Sequence, residues 1–143
     1  RLAELRAVQG RFEEARAILA PYEDLSETVR PLAILDLALG QSAAAAARLR
    51  ARIDELADYP LMTPSLWALL VDADLGCGDV VAAGVDAEEV ERIAALTQSR
   101  RHRGEALFAV GKVLGAEGDP GAAQRLRETN RFQHDIPQFG IQR

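Results

Sequence analysis

Three aspartates stand inside apolar runs, and no other residues of this chain have a stronger claim to chemistry. Asp36 lies between Leu35 and Leu37, and Asp72 and Asp74 lie within the run from Leu70 to Leu75. An unpaired buried carboxylate costs several kcal/mol and must have a reason. Asp72 and Asp74 are two residues apart and point in different directions on a helix. On the ordinary reading one or both face water or pair with an arginine of the neighbouring helix, Arg30, Arg48 or Arg103 for example. An enzyme would need Asp36, Asp72, Asp74 and His102 to converge in one cleft.

The other reactive residue types offer less. His102 and His134 have no second histidine or cysteine at ligand spacing, which argues against a metal site. Cys77 sits between Gly76 and Gly78 at an expected helix C-terminus, where the helix dipole opposes a thiolate. Ser65 and Ser99 lack the strand-to-helix elbow of a nucleophilic serine. The basic run Arg100-Arg101-His102-Arg103 could meet a phosphate or an acidic partner, but four polar residues at a helix start are usually solvated. No catalytic residue, metal or cofactor is expected, and the chain reads as a non-enzyme.

These residues must be carried by helices. The chain has 143 residues, of which 26 are alanine, and arginine outnumbers lysine sixteen to one. Alanine is the best helix former and a poor core filler, so the composition predicts close-packed helices and an all-α fold. A net charge of −5 argues against general nucleic-acid binding, and a single cysteine excludes a disulfide framework. No apolar run approaches the roughly 20 residues of a membrane helix. The first residue is not methionine and no signal-like segment follows, which suggests a piece of a longer protein.

A glycine followed five residues later by alanine recurs four times, as Gly10 and Ala15, Gly40 and Ala45, Gly78 and Ala83, and Gly118 and Ala123. Helical apolar patterns flank each instance, so the glycines read as left-handed turns between antiparallel helices. The alanine then falls where the two helices of a hairpin come closest, and a leucine there would force them apart. Helices are predicted near residues 1–9, 12–24, 27–39, 42–57, 64–76, 79–98, 101–117 and 120–133. Thr63-Pro64 and Asp119-Pro120 carry the signature of a cap followed by a first-turn proline, and 58–63 is the clearest loop. Pro21 is expected near a helix end, with a kink as the alternative. Gly84 followed by Asp86 and Glu89 resembles a second helix start, leaving 79–98 as one helix or two.

The pattern resembles the tetratricopeptide-type helical repeats, in which an aromatic follows the turn glycine by two residues and an alanine by five. Gly10, Phe12 and Ala15 match that half of the motif, and Val110-Gly111 with Gly118 and Ala123 matches both halves of a fourth unit. The glycines are spaced 30, 38 and 40 residues apart, and the usual bulky position reads Asp36 and Asp74. The resemblance implies an α-solenoid of about four hairpins with a right-handed superhelix over residues 1–133, followed by an irregular tail over 134–143. The arginine- and alanine-rich texture also resembles the helical-repeat region of bacterial transcriptional regulators of the MalT/LuxR type. That likeness implies a cytoplasmic regulatory segment linked to other domains of a longer chain.

In the tetratricopeptide family the first helix of each pair lines a groove that binds peptides. Carried onto this chain, the groove positions are Glu27, Arg30 and Ile34, then Ser65, Ala68 and Asp72, then Glu105, Phe108 and Lys112. The implied partner is a protein or peptide, or another domain of the same chain, with no direct nucleic-acid or membrane contact. Leu2, Leu5 and the 132–139 segment would be sticky end surfaces and could support self-association. The alternative function is effector sensing, a small molecule entering between hairpins with Trp67 and a carboxylate on the wall.

Overall fold

The computed structural model describes residues 1–118, and among these no strand occurs. Seven α-helices follow one another: α1 (Leu2–Val8), α2 (Phe12–Leu19), α3 (Val29–Ala38), α4 (Ser42–Glu55), α5 (Pro64–Gly76), α6 (Val80–Thr97) and α7 (Arg100–Ala116). The fold is all-α. The expected helix over 120–133, Ala123 and the tail over 134–143 lie outside the described residues. No described helix is long and apolar enough to cross a membrane.

The turns are built locally. Gly10, Gly40, Gly78 and Gly118 all have φ between 73° and 79°. At the first three, the glycine N–H donates to the carbonyl three residues back, and the next N–H donates to the carbonyl five back, as in Arg11 to Arg6, Gln41 to Asp36 and Asp79 to Asp74. These are the paired bonds of a Schellman helix end. Only Asp79 of the three following residues also caps the next helix, accepting from the Ala82 N–H at 2.9 Å. Ala15, Ala45 and Ala83 are fully buried, each between the helices of its own hairpin and the next element.

Consecutive helices pack on one another, and the odd-numbered helices also pack together, α1 on α3, α3 on α5 and α5 on α7. The core is therefore a series of clusters. Leu32 and Leu35 of α3 face α1 and α2, while Ala33 joins Leu49, Ile53, Leu66 and Leu70 on the next interface. Val71 of α5 turns the other way, onto Ala83, Ala87, Ala109 and Val113. A helix sandwiched between neighbours must be apolar on more than one side, which is why aspartates within α3 and α5 stand out. Among the described residues an ion pair is found at each junction between successive hairpins: Glu4 with Arg30, Arg50 with Asp74, and Asp72 with Lys112.

Several boundaries differ from the sequence expectation. α2 stops at Leu19 instead of residue 24, because Pro21 has no N–H to continue the ladder, and a short 3₁₀ turn (Ala20–Tyr22) follows. α3 starts at Val29, since the Thr28 hydroxyl donates to the carbonyls of Tyr22 and Leu25 and closes the connector. Thr63 precedes Pro64 as expected, but its hydroxyl donates to the Pro60 carbonyl and does not cap α5. α6 is one helix, with Gly84 inside it. It ends at Gln98 with φ 51°, a left-handed residue without a glycine. The uneven glycine spacing follows from helix length: α2, α4 and α6 have 8, 14 and 18 residues.

Two glycines outside the turns have opposite expected responses to alanine. A Cβ on Gly84 would find its nearest neighbour, Val113 Cγ1, at 3.8 Å, so Gly84→Ala should stabilise α6 by about 0.5–1 kcal/mol through helix propensity. A Cβ on Gly76 would come within 2.9 Å of Ser42 Cβ and nearer still to its hydroxyl. Gly76→Ala should destabilise by about 1–2 kcal/mol, because α4 and α5 must part there. Urea unfolding midpoints of the two variants should move in opposite directions.

Candidate functional site

The odd-numbered helices share one side of the molecule. α5 presents Ser65, Ala68, Leu69 and Asp72, and α7 presents Glu105, Phe108, Ala109 and Lys112. Both sets run at i, i+3, i+4 and i+7, a single helical face, and the second repeats the first at an offset of 40 residues, the spacing of Gly78 and Gly118. With Arg30 of α3 they line an open concavity of about 150 Å3.

Its charged groups are all paired, two with each other and two with residues outside the concavity. Lys112 Nζ reaches Asp72 Oδ1 at 2.5 Å and stands 4.1 Å from the centre of the Phe108 ring, so one ammonium serves a carboxylate and an aromatic face. Arg30 is paired with Glu4 of α1. Glu105 accepts from Arg101 Nε at 3.3 Å through Oε1, while its Oε2 is buried with no hydrogen-bond partner. Phe108 is 43% exposed, a large aromatic surface left open to solvent. The arrangement offers apolar contact flanked by both signs of charge.

Of the nine groove positions expected from the sequence, Arg30, Ser65, Ala68, Asp72, Glu105, Phe108 and Lys112 are brought together here. Glu27 is not: it is exposed in the 3₁₀ turn (Ser26–Thr28) that precedes α3. Ile34 packs instead against the cluster of α1, α2 and α3. Leu69 and Ala109 were missed, although the i+4 step from Ser65 and Glu105 points to both. Trp67 does not line the concavity; it is packed between the cluster of α3, α4 and α5 and the cluster of Val90, Ala94 and Ala106.

The other candidates are engaged separately. Asp36 accepts from Arg48 Nε at 3.3 Å, and Asp74 accepts through both oxygens at 2.7 Å from Arg50, a partner not expected from the sequence. His102 Nδ1 lies 3.1 Å from Thr97 Oγ1, and the Ser99 hydroxyl accepts from the His102 N–H as the cap of α7. Asp36, Asp72, Asp74 and His102 thus serve four different partners, with no shared cleft. Cys77 is exposed at the end of α5. The basic run opens α7, with Arg101 paired to Glu105. His134 lies outside the described residues.

No protein-family model, curated protein or solved structure matches this chain.

Proposed function

We propose that the chain is a non-catalytic helical-repeat module of the tetratricopeptide type, a right-handed solenoid of about four hairpins, that binds a protein or peptide segment across α3, α5 and α7. In this reading it is the helical-repeat region of a cytoplasmic bacterial transcriptional regulator, passing partner binding on to other domains of a longer chain. The observation that carries the binding role is the duplicated face, Ser65-Ala68-Leu69-Asp72 on α5 and Glu105-Phe108-Ala109-Lys112 on α7, with an exposed phenylalanine between charges of both signs. Such a surface suits an amphipathic helix or extended segment held by shape and a few charge pairs. Effector sensing at this concavity has less support, because about 150 Å3 is small beside the roughly 300–1,000 Å3 of ligand pockets and Trp67 is taken up by the core.

Lys112 is the only lysine in the chain, which supplies a site-specific reporter. Reductive 13C-methylation keeps its charge and gives one side-chain NMR signal in the groove. Titration with a library of amphipathic peptides is expected to shift that signal saturably, and Phe108→Ala should weaken binding about tenfold, or about 1.4 kcal/mol. Peptides that bind without moving the Lys112 signal, or that bind Phe108→Ala equally well, would sink the groove assignment. A metabolite that raises the melting temperature and moves the signal would favour the sensing alternative.

A further inference from the structure

In two of the hairpins, the residue four before the turn glycine and the residue eight after it meet. In the hairpin of α3 and α4 these are Asp36 and Arg48, an ion pair at 3.3 Å. In the hairpin of α5 and α6 the same positions hold Asp74 and Asp86, two buried carboxyl groups of which Asp86 has an oxygen without a hydrogen-bond partner. Two ionised carboxylates are acceptors only, so such a pair can be joined by a hydrogen bond only with a proton on one of them. The Asp74 side chain is 4% exposed and Asp86 is 8% exposed as a residue, so neither can rely on water. Arg50 of α4 reaches both oxygens of Asp74, yet Asp86 Oδ2 is buried with no hydrogen-bond partner. One guanidinium faces two carboxyl groups, and full ionisation would leave an uncompensated buried negative charge.

We propose that Asp74 and Asp86 hold a single shared proton and that its loss weakens the docking of α6 on α5, so that this hairpin responds to pH. Its other charged neighbours do not replace the proton. Asp79, at the start of α6, adds negative charge. Across from Asp86 on α7, the stretch from Ala109 to Val113 carries one charge, Lys112, which is committed to Asp72. On α6 itself Glu89 is paired with Arg92. Asp86 is pushed up to about 7, by burial first and then by the hydrogen bond and charge of Asp74, with Arg50 opposing.

The sign follows from linkage. A carboxyl whose folded pKa lies above its unfolded value of 3.8 favours the folded state most at low pH, and this contribution is lost as the pH rises toward 7. Urea unfolding of the full chain between pH 5 and pH 8 is therefore expected to show stability falling with pH, the folding constant dropping at least about tenfold by pH 7 from this group. Asp86→Asn, which keeps the shape and removes the charge, should flatten that slope. Carboxyl 13C titration of the unaltered chain should give one apparent pKa near neutrality belonging to the pair, whatever the variant's own stability. Equal pH slopes in the two proteins, or both carboxyl groups titrating below pH 5, would overturn the proposal.

Discussion

Arg50→Ala is expected to cost about 3 kcal/mol at pH 8, the lower end of what breaking a buried ion pair costs. The arginine is itself 48% exposed, so little packing is lost with it, and the penalty comes from what it leaves behind. Asp74, 4% exposed, would be left with no cation against it, beside a second carboxyl from α6. Protonation of Asp86 at lower pH removes part of the excess negative charge, so the loss should be smaller at pH 5 than at pH 8. Arg50→Lys keeps the charge but gives up the two-oxygen contact, and should fall between the parent and the alanine variant. Chemical denaturation of the three proteins at both pH values checks the set. A cost that is the same at pH 5 and pH 8 would show that the penalty is packing and not charge.

Ala45→Leu should destabilise by about 1–3 kcal/mol, because three added carbons must enter a junction where the present methyl is already fully enclosed. Ala45 belongs to the cluster with Ala33, Leu49, Leu66 and Leu70, so α4 cannot back away without opening the contacts of α3 and α5. The run from Ala43 to Ala47 contains its own control. Ala45 and Ala46 are buried, whereas Ala43, Ala44 and Ala47 are exposed. Ala44→Leu should therefore change stability by no more than about 0.5 kcal/mol. Thermal unfolding of the pair tests whether the alanines after the turn glycines are spacers between helices or simply good helix formers. Equal melting temperatures for the two variants would support the latter.

The alanine-glycine pattern was legible because it acts over short range. A left-handed glycine and its two hydrogen bonds involve six consecutive residues, and Gly10, Gly40 and Gly78 all form them. The alanine five residues on is buried for an equally local reason, since it lies within the first turns of the returning helix. The face of the candidate site was also largely readable, because i, i+3, i+4 and i+7 positions share a side of any helix. Where that reading failed, a local competitor had won: the Thr28 hydroxyl closed the connector and left Glu27 in a turn, and Ile34 was drawn into the apolar cluster beside α1.

Asp86 shows the limit most clearly. From its neighbours it reads as part of a helix start, with Gly84 before it and Glu89 after it. In the folded chain α6 runs through, and its inward face turns Asp86 onto Asp74. The amino-acid sequence by itself determined an all-α chain, where its glycine turns fall, which alanines separate its helices and which residues share a face, all properties set within one or two helical turns. Only the tertiary structure decided which charge meets which. Arg50 and Asp74 are 24 residues apart, Asp72 and Lys112 are 40 apart, and an ion pair at such a separation depends on how whole hairpins stack.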